Sequence, residues 1–285
     1  MIVVTAATGQ LGQLVVDGLL RDVPAGQIAV AVRNPAKAQA LAARGVTVRP
    51  ADYDDPASLR AAFAGADKVL FISGAGVAER LDQHLRVVEA AKQAGVGQLA
   101  YTSVLRADTS TLLVAPDHKI TEQTIRDAGV PFTFLRNGWY TDNFAPRIAN
   151  AVRTGAFAGN ATPAATLSSA SRTDYAEAAV AALTGDGHLN QVYELAGDVA
   201  WSYPDLAAEL AKQTGQQIGY QQVSPQEHER ILIEAGLPAG FAAFTVQTDQ
   251  HITEGELADD SGDLSKLIGR PTTPLADAVA AILKG

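Results

Sequence analysis

The chain has no cysteine among its 285 residues, a single methionine and only two tryptophans. Without cysteine there can be no disulfide, no thiolate metal site and no cysteine nucleophile, and a cytoplasmic location is the simplest expectation. Long apolar runs are also missing. None approaches the ~20 residues needed to cross a bilayer, and Met1 leads straight into a strand without the basic segment of a secretory signal. Positive charge is in deficit: 22 Lys and Arg against 31 Asp and Glu leave a net charge of -9, which argues against a nucleic-acid surface. The five histidines, at positions 84, 118, 188, 228 and 251, show no metal-ligand spacing, so no metal is expected. What is present, 47% hydrophobic and 19% charged residues, suits an ordinary soluble globular protein with a large core.

The first twelve residues organise the rest. Ile2, Val3 and Val4 form a β-branched apolar run that reads as a short buried strand. Thr8, Gly9 and Gly12 break that pattern, and from Gln10 the period is helical, with Leu11, Leu14, Val15, Leu19 and Leu20 on one face. Strand, small-residue turn and helix in that order make a phosphate-binding turn, because the N–H groups and positive dipole end at a helix start favour a pyrophosphate. Ala6 stands where a G-x-x-G-x-x-G loop has its first glycine.

Strands and helices then alternate. Strands are expected at 27–32, 46–50, 68–72, 98–103 and 131–136, and helices at 36–44, 56–63, 78–94 and 118–128. Continuously apolar strands in this alternation predict a doubly wound α/β fold, a parallel-sheet Rossmann domain over residues 1–150. Beyond 150 the rhythm loosens. Helices near 173–183, 203–213, 225–235 and 275–284, with strands at 191–195 and 218–223, predict a smaller α+β C-terminal lobe over 151–285, partly interleaved with the first and completing a substrate cleft.

Ligands of such sheets lie beyond the carboxyl ends of the strands. The second strand ends at Arg33, with Asn34 beside it and Lys37 one turn on, where a cofactor with a free ribose hydroxyl meets a carboxylate. A guanidinium there holds a 2′-phosphate, so NADPH is the expected cofactor. Asp52 and Tyr53 follow the third strand, where an adenine edge would lie; a loop carboxylate capping the next turn is an equal alternative. After Phe71 and Ile72, the segment Ser73-Gly74-Ala75-Gly76 has little side chain and suits close backbone approach to a ligand. Ser103, a candidate cofactor contact, takes the place of the usual catalytic serine of short-chain dehydrogenases, and without that serine's partners local hydrogen bonding is its expected role. Their Tyr-x-x-x-Lys pair is absent, since no tyrosine here has a lysine four residues on. His118 and Lys119 open a helix after a long loop, and one of them is a candidate to face the cofactor. Beyond the sixth strand, Asn137 and Gly138 suit the nicotinamide end, with Asn137 the candidate for positioning it. Trp139, Tyr140, Asn143 and Phe144 would wall a flat substrate pocket, unless the aromatics pack the seam between the lobes.

Five stretches, Thr5-Ala-Ala-Thr-Gly-Gln-Leu-Gly12, Val32-Arg-Asn-Pro-Ala-Lys37, Ala51-Asp-Tyr53, Tyr101-Thr-Ser103 and Leu135-Arg-Asn-Gly-Trp-Tyr140, resemble the NmrA-like atypical short-chain dehydrogenases. The likeness is nearest to the bacterial NADPH:quinone oxidoreductases of type 2. It continues through Ser171–Tyr175, Val192–Gly197 and Leu264–Gly269, so it covers nearly the whole chain. The resemblance implies two-electron reduction of quinones by NADPH. Residues Ala6, Ala7, Thr8, Gly9, Gln10, Leu11 and Gly12, together with Arg33, the segment after Phe71 and the segment from Asn137, would hold the cofactor. The chain departs from the pattern at Ala6, where relatives usually carry glycine; alanine resists positive φ, so an adjusted turn is expected there. A quinone is a strong hydride acceptor, which fits direct hydride transfer without the Tyr/Lys pair. A non-catalytic NADP-binding redox sensor, or a reductase of dyes and other conjugated acceptors, are the alternatives.

Overall fold

The computed structural model describes residues 1–74, 76 and 79–285. Ala75, and Ala78 at the start of the helix expected over 78–94, lie outside the described residues. The first elements are β1 (Ile2–Thr5), α1 (Gln10–Asp22), β2 (Ile28–Val32), a 3-10 turn (Pro35–Ala38) running into α2 (Gln39–Ala43), and β3 (Thr47–Pro50). Then come α3 (Pro56–Phe63), β4 (Lys68–Phe71), α4 (Arg80–Gln93), β5 (Gln98–Val104), α5 (Ala115–Asp127) and β6 (Phe132–Asn137). After β6 the chain forms α6 (Ala145–Thr154), β7 (Ala156–Gly159), β8 (Thr166–Leu167), α7 (Arg172–Thr184) and β9 (Gln191–Leu195). It finishes with β10 (Trp201–Ser202), α8 (Tyr203–Thr214), β11 (Gly219–Gln222), α9 (Pro225–Glu234), α10 (Ala239–Thr253), α11 (Asp263–Ile268) and α12 (Leu275–Lys284).

Seven parallel strands form one sheet in the order β3-β2-β1-β4-β5-β6-β9. The order reverses between β1 and β4, which puts the switch point beside the first turn. Strands β2, β5 and β6 are buried almost throughout because helices cover both faces. On one face Val15, Val16 and Leu19 of α1 pack with Tyr175, Ala179 and Leu183 of α7. On the other, Leu59, Phe63, Val87, Val88 and Ile125 come from α3, α4 and α5. Each fully buried Val, Leu, Ile or Phe of these layers contributes about 1.5–3 kcal/mol.

Residue 150 falls inside α6, and β9, which lies beyond it in the chain, pairs with β6 from Thr133↔Gln191 to Asn137↔Leu195. The chain leaves the sheet after β6, returns with α7 and β9, and leaves again. As an edge strand, Gln-Val-Tyr-Glu-Leu is largely half-exposed and lacks the apolar run of its neighbours. The second lobe holds two small pairings, β7 with β11 and β8 with β10, around Phe144, Phe157, Trp201, Tyr203 and Ile252.

Two buried charge networks fix the lobes. Arg136 on β6 donates to both oxygens of Glu122, at 2.9 and 2.7 Å, to Glu194 at 2.7 Å and to Asp108 at 3.1 Å. In the second lobe the fully buried Asp249 of α10 accepts from Arg147 at 3.0 and 3.2 Å, from the Tyr203 hydroxyl and from the Asn160 amide at 3.0 Å. His228 lies 3.3 Å from the same carboxylate, and burial followed by the Arg147 charge holds its pKa down to about 4.

The opening turn contradicts the expectation of an adjusted backbone. Ala6 adopts φ +48, the left-handed shape that glycine favours. The turn needs that shape because the Ala6 carbonyl accepts the Gly9 N–H at 2.9 Å, and Gly12 packs directly on it. A Cβ at Gly12 would stand 2.6 Å from the Ala6 oxygen and 2.6 Å from the Ala7 Cα.

Ala6→Gly should relieve strain and raise stability by about 1 kcal/mol, whereas Gly12→Ala should cost about 1–3 kcal/mol, both read from urea denaturation midpoints. Asp249→Asn, which keeps the shape but strands the Arg147 charge, should cost about 3–5 kcal/mol; a melting temperature equal to the parent's would show the pair to be dispensable.

Candidate functional site

A cavity of about 550 Å³ opens over the carboxyl ends of β1, β4, β5 and β6. At one end lie Ala6, Gly9, Gln10, Leu11 and Gly12. Helix α1 starts there with Gly9 as its cap residue, so no side chain occupies its first N–H groups, and its first turn carries no acid. Those donors and the dipole face the cavity, which is the arrangement a pyrophosphate requires. Ala7 and Thr8 do not line it. Ala7 is buried in the core beneath the helix, and the Thr8 carbonyl accepts from the Gln13 side chain at 3.2 Å.

The residues expected around the adenosine end separate into two groups. Arg33 is exposed just past β2, and among the described residues no hydrogen bond or ion pair engages its side chain; it is absent from the cavity lining. Asn34 caps the 3-10 turn by accepting from Ala36 N at 3.0 Å. Asp52 accepts from Asp54 N at 3.1 Å, the loop-capping alternative. Tyr53 and Phe71 are structural. The Tyr53 hydroxyl lies against Thr5 Oγ1 and, at 2.8 Å, the Ile72 carbonyl, tying β1 to the segment after β4. Burial pushes its pKa upward. Phe71 is sealed in the core, edge-on to Tyr53 and His84. Its side chain packs in the core with α3 and α4, while Ile72, Ser73 and Gly74, past the end of β4, reach the cavity.

The middle of the cavity is polar. Ser103 donates to Glu122 Oε1 at 2.6 Å, so its hydroxyl serves the Arg136 network. The helix expected from His118 starts instead at Ala115, which places His118 one turn inside and on the buried face. His118 lines the cavity with its Nδ1 2.7 Å from the Tyr101 hydroxyl. Burial, then the neighbouring His84 and Arg80, hold its pKa down to about 3; burial and Arg80 hold His84 at about 3 as well. Both rings are neutral at physiological pH. Lys119 points outward and donates to the Asp108 carbonyl at 2.9 Å. Arg80, not anticipated from sequence, is buried in the wall and donates to the Gly74 carbonyl at 3.2 Å.

At the far end Asn137, Gly138, Trp139, Tyr140 and Asn143 come together. Asn137 donates to the Tyr140 hydroxyl at 2.9 Å and keeps a buried Oδ1 without a partner among the described residues. Burial raises the Tyr140 pKa, while Asn137 and Arg172 oppose the rise. Arg172 lies 5.1 Å over the Tyr140 ring and donates to Asn143 at 3.0 Å. Phe144 is not in the wall: it packs in the second lobe's core against Trp201 and Tyr203. Its expected place is taken by α10, whose Phe244 stacks on Trp139 at 6.1 Å. Sequence reading missed this helix. Phe241, Phe244, Thr248 and His251 all line the cavity, and their spacing of three, four and three residues is the helical signal that could have found it.

The donors therefore fit a dinucleotide: an uncapped helix start, a free guanidinium beyond β2 and a small-residue segment after β4. Among the described residues no group of three or more His, Asp or Glu could hold a metal ion, and no helix is long and apolar enough to cross a membrane.

Comparison with known proteins agrees with this geometry. Quinone oxidoreductase 2 of Escherichia coli K12 is 50% identical over 280 residues, 98% of each chain. The crystal structure of NADPH-dependent quinone oxidoreductase QOR2 from E. coli in complex with NADPH superposes with a TM-score of 0.96 at 49% identity, covering 99% of this chain and 100% of that one. Triphenylmethane reductase of Citrobacter sp., solved with NADP(H), superposes with the same TM-score of 0.96 at 42% identity, covering 99% and 100%. The NmrA-like family model matches residues 1–268, and with full-length relatives at this identity the chain belongs to the NmrA-like family.

Proposed function

We propose that this chain catalyses the NADPH-dependent two-electron reduction of quinones by direct hydride transfer, without a Tyr-x-x-x-Lys pair. The observation that carries this reading is one continuous cavity with an uncapped helix start at one end and the stacked Trp139 and Phe244 at the other. The first end receives the pyrophosphate, and Arg33 with Lys37, both exposed, receive the 2′-phosphate. Bound there, NADPH supplies a hydride from its nicotinamide ring. The chain's own residues do the rest. Ile72–Gly74 and Asn137–Gly138 flank the ring's place, with Asn137 positioning it, and Trp139 with Phe244 offers a flat apolar wall for a planar acceptor. One quinone takes up the hydride and one solvent proton, giving hydroquinone and NADP+. Because a quinone accepts hydride readily, holding the two rings together in a dry cleft suffices without a tuned tyrosine.

The likeness to the E. coli quinone oxidoreductase, itself described as NADPH-dependent, supports this reading. Reduction of cationic dyes or other conjugated acceptors is a second activity favoured by the likeness to a triphenylmethane reductase and by a wall whose contacts are stacking rather than hydrogen bonds. A sensor without catalysis would have no use for that wall. A cysteine-free consumer of NADPH suits the cytoplasm.

Steady-state NADPH oxidation against a panel of quinones and dyes tests the reading; quinone-dependent turnover is expected, and its absence overturns it. Arg33→Ala should lower kcat/KM for NADPH roughly 10- to 100-fold, from loss of one charge-assisted contact, and leave the NADH value unchanged. Equal losses with both cofactors would remove Arg33 from the 2′-phosphate site.

A further inference from the structure

A directional chain of hydrogen bonds runs behind the cavity wall. The Thr121 hydroxyl, on α5, donates its one proton to the Asp117 carbonyl at 2.7 Å. Its oxygen, 2.9 Å from His84 Nδ1, can then only accept, so His84 carries its proton on Nδ1. His84 Nε2 is left as an acceptor for the Ser73 hydroxyl 3.1 Å away, a nearer partner for that one proton than the Gly74 carbonyl at 3.4 Å. Next along, the Tyr101 oxygen lies 3.3 Å from the protonated His84 Nδ1 and 2.7 Å from His118 Nδ1. Since His84 Nδ1 is a donor, the acceptor at short distance for the Tyr101 proton is His118 Nδ1 at 2.7 Å; the Thr121 oxygen is already taken by His84 Nδ1. The opposite polarity would deprive the buried phenol proton of that acceptor, at a cost of about 1–3 kcal/mol. His118, neutral and with Nδ1 occupied as an acceptor, must carry its proton on Nε2. That atom has no hydrogen-bond partner among the described residues and is not among the buried unpartnered polar atoms, while the ring lines the cavity.

We infer that His118 is a catalytic hydrogen-bond donor, presenting Nε2–H to the carbonyl oxygen of the acceptor on which negative charge grows as hydride arrives, with Tyr101 as the positioning residue that fixes its tautomer. The inference rests on the quinone-reductase reading above. Hydride adds two electrons and one hydrogen to the quinone, the bond from Nε2–H stabilises the resulting hydroquinone oxyanion, and the second proton comes from solvent. His118 keeps its own proton throughout, because losing it would create an imidazolate. Arg80, buried in the same wall, is paired with Asp117 at 3.5 Å, so its charge is largely balanced there and the directed N–H carries the effect. A neutral donor polarises a carbonyl without offering a quinone a charge-stabilised ground state, so its effect is felt in the transition state.

The test compares His118→Leu, His118→Gln and Tyr101→Phe with the parent enzyme, using a benzoquinone and a cationic triphenylmethane dye. The dye takes hydride on carbon and develops no oxyanion. His118→Leu should lower kcat/KM for the quinone about 100-fold, with a loss at least tenfold smaller for the dye and an unchanged Kd for NADPH. His118→Gln, which keeps an N–H near the Nε2 position, should recover much of the quinone rate. Tyr101→Phe should lower kcat more than it raises KM. Nitrogen-15 spectra of the imidazoles should show His118 as the Nε2–H tautomer in the parent and as a mixture in Tyr101→Phe. Equal losses with quinone and dye, or an Nδ1–H tautomer in the parent, would overturn the inference. If the parent turns over no quinone at all, the proposed function fails, and the tautomer spectra still decide whether the relay exists.

Discussion

One guanidinium sits where four segments of the chain meet. Arg136 reaches from β6 to Glu122 on α5, to Glu194 on β9 and to Asp108 in the loop after β5. Ser103 on β5 donates to Glu122 and the Arg106 backbone N–H to Glu194. Removing these charges from water is costly, and only a geometry that satisfies every partner offsets it. The network therefore acts less as a source of stability than as a register lock. If α5 slid by a turn, Glu122 and Arg136 would both be stranded. Four residues before Glu122 on the same face of α5 stands His118, so the lock that holds Glu122 also aims the imidazole. On β6, alternation sends Arg136 to the α5 face and Asn137 to the opposite one, beside Tyr140. The Arg136 network thus fixes the register of β6 against α5, and with it the placement of His118 in the cavity's middle and of Asn137 at its far end.

The second network does the same for the far wall. Helix α10 contributes Phe241, Phe244 and Thr248 to the cavity, and on its inner face Asp249 is gripped by Arg147 and Tyr203. Arg147 in turn lies over the rings of Phe157 and Tyr203, which keeps the charge enclosed by polarisable surface. The wall is joined to the sheet lobe through Arg106, whose side chain reaches the carbonyls of Gly255, Glu256 and Ala258 just past α10. The two ends of the cleft are consequently tied together by hydrogen bonds between the lobes.

How much of this was legible in the sequence depended on whether a residue's job left a periodic trace. The sheet strands did, because burial on both faces demands unbroken apolar runs, and the turn at Thr5–Gly12 did, because a close helix start demands small residues. Edge strand β9 was legible as a strand at 191–195, but its half-exposed Val, Tyr and Glu gave no sign that it closes the first sheet beside β6. Helix α10 hid for a different reason. Its buried face holds Thr245 and Thr248, whose hydroxyls donate to carbonyls one turn back in the helix, and Asp249, whose partners Arg147, Tyr203 and Asn160 lie far off in sequence. Phe144 and Phe71 look like pocket aromatics in a linear reading, and only the packing shows that they point into cores. Ala6 carried a correct warning with the wrong outcome. The cost of positive φ is real, but Gly12 against its carbonyl leaves the backbone no alternative, so the strain is absorbed and the turn keeps its shape.

The two ends of the cleft place different demands on the chain. A phosphate is recognised by backbone N–H groups and a cation, which any sequence with the right turn can supply; that end is generic and shared across dinucleotide-binding folds. The acceptor end must distinguish a carbonyl that will become an oxyanion from surfaces that will not. Apolar stacking on Trp139 and Phe244 cannot make that distinction, since it is indifferent to where charge develops. A single directed N–H can, provided its direction is imposed from outside the cavity. Here the imposition runs through Thr121, His84 and Tyr101, each spending its one proton in the only direction left to it. The buried histidines that look like passive core residues in the sequence are, on this view, what separates a pocket that holds a planar ring from one that reduces it.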